Sequence, residues 1–236
     1  MIQLYNTILF RPLFNLLVLI YKVIPGGDFG LAIIILTLII RFIFVPLSIK
    51  SLISQKELSR LQPKMKELQE KYKNDKAALN QATMALYKEH GINPFSGCLP
   101  LLIQLPVLIA LYSALRTGLR PDSLSALYSF VSHPATIKTI SLGFLDLTQK
   151  SPVLAVLAGV LQWFQSKQAV AFQAPAKNEQ ASTAFQMNKQ MLYFFPVMVI
   201  IIAWNLPTGL VLYWVTATIF SIFEQLYINK KYNPKP

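Results

Sequence analysis

Residues 29–49 read FGLAIIILTLIIRFIFVPLSI. These 21 residues carry one full charge, Arg41. A bilayer core about 30 Å thick takes roughly 20 apolar residues of helix, so the stretch can span. An arginine inside a span costs from about 2.5 kcal/mol to well above about 10, depending on how far it snorkels. Its guanidinium cannot be deprotonated away, so the site must supply water, counter-charge or polar neighbours. Arg41 is the thirteenth residue of the stretch, past its midpoint. At about 100° per residue, Thr37, Arg41 and Ser48 fall within about 40° of one another. Two readings stay open. The arginine snorkels to the near interface and only sets orientation, or a wet cavity opens inside the membrane. Its depth favours the cavity.

The rest of the chain fits a polytopic membrane protein. Of 236 residues, 54% are hydrophobic and 14% charged, outside the range of ordinary soluble domains. A net charge of +12 would suggest nucleic acid in a soluble protein. Here positive loops on one side of a membrane account for it, and no specific nucleic-acid partner is expected. The single cysteine, Cys98, excludes an internal disulfide framework. His90 and His133 are far apart and lie outside the spans. No P-loop, acid pair or metal-ligand cluster is present. Asp28, Asp122, Asp146 and Glu224 fall near span ends or in loops, which disfavours an aspartyl intramembrane protease. A non-enzymatic protein without a cofactor or metal is expected.

Residues 1–27 open with an apolar run in which Gln3, Thr7, Arg11, Asn15 and Lys22 share about 120° of a helical wheel. That pattern suits an amphipathic helix lying in the membrane interface, and Pro25-Gly26-Gly27 then breaks the chain. Residues 28–50 hold the first span. The block 51–96 is hydrophilic, and Leu58, Leu61, Met65, Leu68 and Tyr72 repeat in it at coiled-coil spacing. Asn74-Asp75 is a turn signal, and Lys76 to His90 reads as a second helix closed by Gly91. The reading is a helical hairpin off the membrane, with Pro63 bending its first helix. Residues 97–116 are the second span, with Gln104 its one amide. A lone glutamine there serves either as interhelical glue or as cavity lining.

Residues 117–151 read as an outer loop, with 125–131 apolar enough to lie on the surface. Residues 152–168 form a short third span and 169–186 a loop, of which 169–182 is read as mobile. Residues 187–206 and 207–228 form the fourth and fifth spans, joined by the tight turn Pro207-Thr208-Gly209, and 229–236 a basic tail. In the fifth, Trp214, Thr218, Ser221 and Gln225 lie within about 60° of the wheel, a second polar stripe; an interface-belt role for Trp214 is the bland alternative. With the first span running outward to inward, Lys50 and eight cations of the hairpin block, three of residues 166–190 and three of the tail lie inside, against six outside. The bias predicts the N-terminus outside and the C-terminus inside. The fold class is thus all-α, with five transmembrane helices, an outer interfacial helix and a cytoplasmic hairpin.

The order TLIIRFIFVPL, LQPKMKELQEKY, ALYKEHGINP, GCLPLLIQLPVLIALY and PTGLVLYW resembles the YidC-type membrane protein insertases, with their Oxa-type and Albino-type relatives. The resemblance covers nearly the whole chain. It implies a five-helix core with a positively charged hydrophilic groove open to lipid and cytoplasm and closed outside. It implies a groove arginine at Arg41, its polar partner at Gln104, an aromatic at Trp214, and substrate contact at Thr37 and Trp214. Ser48, Thr218 and Ser221 are the further groove candidates from the two stripes. The sequence carries no large outer domain or lipobox cysteine ahead of the core, and its tail is short, so ribosome contact is expected to be transient. The implied partners are newly made membrane proteins, the ribosome, the Sec translocon and membrane lipids. The protein is taken as a monomer in a bacterial plasma membrane. A small anion transporter or channel, using Arg41 as its anion site, is the alternative.

Overall fold

The structure, a computed structural model, describes residues 2–91, 93, 99–118, 127–131, 134, 137–172 and 183–232. The chain opens with α1 (Ile2–Tyr5), a π-helical stretch (Asn6–Phe10) and α2 (Arg11–Val23). Then come α3 (Phe29–Arg60), α4 (Gln62–Lys71), α5 (Lys76–Glu89) and α6 (Leu99–Gly118). Strands β1 (Ile140–Ser141) and β2 (Leu145–Asp146) precede α7 (Pro152–Phe172), α8 (Thr183–Trp204) and α9 (Thr208–Tyr232). A helix covers all but a few terminal residues of the described part of each stretch read as a span. The minimal β-hairpin is an addition to the all-α expectation, antiparallel with Ile140 opposite Asp146 and Ser141 opposite Leu145.

Among the described residues, three helical runs are long and apolar enough to cross a membrane: Gln3–Val23, Phe29–Arg60 and Thr208–Lys231. Gln104–Leu115 and Leu192–Trp204 are shorter apolar helices. The N-terminal run, read as interfacial, is thus also of spanning length. Part of its polar stripe is covered: Asn15 is buried, donating to the Arg11 carbonyl at 2.8 Å and accepting from the Tyr128 N–H at 2.7 Å.

Asp28 caps α3, accepting the Leu31 N–H at 3.0 Å, which satisfies one of the orphan donors of a helix start. From there α3 runs 32 residues, about 48 Å at the usual helical rise. That exceeds a bilayer core of about 30 Å. The stretch read as the first span and the start of the block read as a hairpin thus lie on one continuous helix, with no break near residue 50. The break comes at Leu61, and Pro63 sits in the first turn of α4, where its missing N–H is no loss. It starts a helix instead of bending one. Asp75 caps α5 through the Ala77 and Ala78 N–H groups, and α4 packs on α5. Met65, Leu68 and Tyr72 face the half-buried side, with Leu79, Ala82 and Leu86. The third span continues as α7 to Phe172. The remainder of the expected mobile loop, 173–182, lies outside the described residues, as do 119–126 of the outer loop and 233–236 of the tail.

Two apolar cores flank α9. The first joins Phe14, Leu17 and Tyr21 of α2 to Phe29, Ile33 and Leu36 of α3, Leu111 and Leu115 of α6, and Leu210 and Tyr213 of α9. The second joins Ala155 and Ala158 of α7, Val199 and Ala203 of α8, and Val211 and Val215 of α9. Small residues let α7 and α8 approach closely: a Cβ on Gly159 would collide with the Ile200 side chain.

Candidate functional site: a polar cluster joining three helices

Arg41 of α3 is half-buried and its guanidinium forks between two helices. One terminal nitrogen donates to Gln104 Oε1 of α6 at 3.0 Å, the other to Ser221 Oγ of α9 at 3.1 Å. Both acceptors are oriented by a second bond. Gln104 Nε2 donates to the Tyr213 hydroxyl oxygen at 2.9 Å, and the Ser221 hydroxyl donates to the Ala217 carbonyl at 3.0 Å. Four residues from three helices thus form one connected network. Such a network relieves much of the cost of a guanidinium at this depth.

Two turns further along α3, the Ser48 hydroxyl donates to Glu224 Oε2 of α9 at 2.9 Å. The other carboxylate oxygen, Oε1, is buried without a hydrogen-bond partner among the described residues. The cross-helix pairs Arg41–Ser221 and Ser48–Glu224 rise together in both numberings, so α3 and α9 run parallel. Helix α6 runs the other way: Leu115 approaches Gly209 near Ile33, while Gln104 lies at Arg41. The first turns of α3 and α9 are bridged by residues 141–149 of the loop before α7. Asp28 accepts from the Ser141 hydroxyl at 2.6 Å and the Leu142 N–H at 2.7 Å. Thr208 and Gly209 donate their N–H groups to the carbonyls of Gln149 and Leu147.

Arg41, Gln104 and Ser221 therefore share one hydrogen-bond network, and Ser48 joins the same two helices, α3 and α9, two turns along α3. The other candidates do not join these hydrogen bonds. Thr37 is buried, and its hydroxyl donates to the Ile33 carbonyl of its own helix at 2.6 Å. Thr218 is buried likewise, donating to the Trp214 carbonyl at 2.9 Å. Trp214 is packed on the second core, against α7 and α8. Sequence reasoning missed Tyr213 and Glu224. Their signal was available: Tyr213, Ala217, Ser221 and Glu224 share about 80° of the wheel, one residue out of step with the stripe built on Trp214. Among the described residues no group of His, Cys, Asp and Glu could hold a metal ion.

Residues 19–235 match the family model described as 60Kd inner membrane protein. A protein of Fusobacterium nucleatum named membrane protein insertase YidC is 38% identical over 205 residues, 87% of this chain and 88% of its own length. A Listeria monocytogenes protein named membrane protein insertase YidC 1 is 38% identical over 89% of this chain and 67% of its own. The chain covers only 36% of a Citrifermentans bemidjiense protein of the same name, at 37% identity. Among solved structures, an active YidC insertase crystal structure with the first transmembrane domain resolved matches with a TM-score of 0.54 at 26% identity. That likeness covers 91% of this chain and 45% of the other. These relatives carry the name of an insertase, not of an enzyme, and the family description is that of an inner membrane protein. The chain belongs to the family of the YidC-type membrane protein insertases.

Proposed function

We propose that the protein guides apolar segments of newly made proteins into the bilayer along the polar seam between α3, α6 and α9. The observation that carries this is Arg41, inside an apolar helix of spanning length and held by Gln104 and Ser221 from two other helices. Burying an incoming apolar helix releases about 0.8 kcal/mol per CH2, so no nucleotide is required. The obstacle is the polar tail of the substrate, whose passage through hydrocarbon is costly for each unpaired group. A hydrated seam shortens that path, and Arg41 draws acidic groups of the tail into it. Gln104, Ser48 and Ser221 line the route; Tyr213 holds Gln104 from the core beneath it, and Thr37, Thr218 and Trp214 support it from the packed sides of their helices. In this reading five helices span, α3 and α6 to α9. The charge bias sets the N-terminus outside and the C-terminus inside. The α4–α5 hairpin then stands in the cytoplasm, where it meets the nascent chain or the ribosome, alone or beside the Sec translocon. Family membership does not favour the anion-transporter alternative.

Photo-crosslinking tests it. A probe at Ser221 or Ser48 is expected to capture the apolar segment of a ribosome-bound nascent chain. A probe at Ala155, fully buried in the second core, is expected not to. Equal silence at all three positions in the folded protein would remove the seam as the insertion route.

A further inference from the structure

Three large apolar side chains of the β-hairpin are turned away from the protein: Ile140 is 56% exposed, Leu142 52% and Phe144 79%. The hairpin closes through residues 141–144, the Phe144 N–H donating to the Ser141 carbonyl at 3.2 Å. Both central residues are left-handed, Leu142 at φ +54 and Gly143 at φ +81. A turn of that kind ordinarily takes Asn, Asp or Gly at its first central position. Leucine is strained there, so an exposed apolar side chain is held where a polar one would suit the backbone better.

The hairpin is fixed beside the first turns of two helices. Asp28 grips Ser141 and Leu142, and a Cβ on Gly30 would collide with the Ser141 side chain. The return strand leads directly into the carbonyls that receive Thr208 and Gly209 of α9. If α3 and α9 span, as the functional reading has it, their first turns mark the boundary of the hydrocarbon core. The exposed face of the hairpin then lies at headgroup depth. The exposed Lys138 ammonium sits at the same edge, donating to the Gly26 carbonyl at 2.8 Å. The nearby Asp146 carboxylate accepts from the hydroxyl and the N–H of Thr148 in its own loop. Apolar tips beside an exposed cation match the chemistry of an anionic lipid surface.

We propose that the β1–β2 hairpin is a membrane-surface anchor. Leu142 and Phe144 insert at the headgroup–acyl boundary of the leaflet where α3 and α9 begin, and Lys138 faces its anionic headgroups.

The test uses the full chain with Cys98→Ser, reconstituted in phosphatidylethanolamine and phosphatidylglycerol vesicles. Phe144→Cys carries an environment-sensitive fluorophore, with Leu142→Cys as the second site in case the first misfolds. Lys73→Cys, in the exposed turn between α4 and α5, is the aqueous reference. The expected result is emission at shorter wavelength than at Lys73, with strong quenching by lipids spin-labelled near the headgroup. Emission matching that at Lys73 would overturn the proposal. So would a short-wavelength emission that spin-labelled lipids leave unquenched, because a protein surface would then cover the hairpin. The readout needs no insertion activity, so this proposal and the insertase reading fail separately.

Discussion

Replacing Gln104 by Leu removes the amide that joins all three helices while leaving a side chain of similar size. Two hydrogen bonds go: the charged one from Arg41 at 3.0 Å and the neutral one to the Tyr213 hydroxyl at 2.9 Å. A hydrogen bond to a charged group contributes roughly 1.5–3 kcal/mol and a neutral one roughly 0.5–1.5. Arg41 is half-buried and keeps Ser221, so water recovers part of the first. Tyr213 is only 2% exposed and recovers little of the second. The expected loss is about 2 kcal/mol, a factor of about 30 in the folded-to-unfolded ratio. Equilibrium unfolding in mixed micelles measures it. The sharper quantity is the coupling in a double-mutant cycle with Arg41→Met, since residues in one network couple by roughly 0.5–3 kcal/mol. Additive effects of the two substitutions would refute the bond between them, and with it the idea that Gln104 holds the guanidinium in place.

Ser48→Ala leaves both oxygens of Glu224 without a described partner. It should cost about 1–3 kcal/mol in the same unfolding assay, part of which Glu224→Gln should restore. Arg41→Lys keeps the charge but loses the fork that reaches Gln104 and Ser221 at once. In reconstituted vesicles, substrates with acidic tails should insert less well than with the native protein but better than with Arg41→Ala; equal insertion by all three would count against the electrostatic step. Gly159→Val should separate α7 from α8, because the added carbons meet Ile200. Overpacking of that kind costs about 1–3 kcal/mol, and thermal unfolding should show the loss without any change in a crosslink from Ser221.

Polar residues inside apolar runs are conspicuous, and for that reason Arg41, Gln104, Ser221 and Ser48 could be picked out before any coordinates. Their partners could not. Helix α9 is buried on both sides, against α2, α3 and α6 through Leu210 and Tyr213 and against α7 and α8 through Val211 and Val215. Apolar residues on both sides of its polar stripe leave the rotation of such a helix loosely fixed by periodicity. One residue is a turn of about 100°, enough to choose Trp214 where the structure uses Tyr213. Glu224 was read only as a charge near a span end, which hid its pairing with Ser48 within the helix that continues to Tyr232. The continuity of α3 through Lys50 to Arg60 was not legible either. The change from apolar to charged residues near Lys50 signals a change of surroundings, and a helix need not end where its surroundings change. The loop between Thr139 and Gln149 had no legible pattern at all, since strands of two residues are too short to show alternation.

The two ends of the α3–α9 pair are held by different chemistry. At their first turns the contacts are backbone and carboxylate bonds to one loop: Asp28 with Ser141 and Leu142, Thr208 with Gln149, Gly209 with Leu147. These bonds tie both helices to the same short segment and fix their spacing there. Further along, the described polar links are side chain to side chain, Arg41–Ser221 and Ser48–Glu224, and each can be exchanged for a bond to water or to a polar group of an incoming chain at little net cost. On the proposed insertase reading, a substrate that offers an acid to Arg41 would replace Ser221 as its acceptor without leaving any group unpaired, because the Ser221 hydroxyl still donates to Ala217. The pair would then admit a polar chain between its later turns while its first turns stay bridged. That asymmetry follows from which links are fixed to backbone and which are not, and it suits the proposed seam, which would receive a chain from one side and stay sealed on the other.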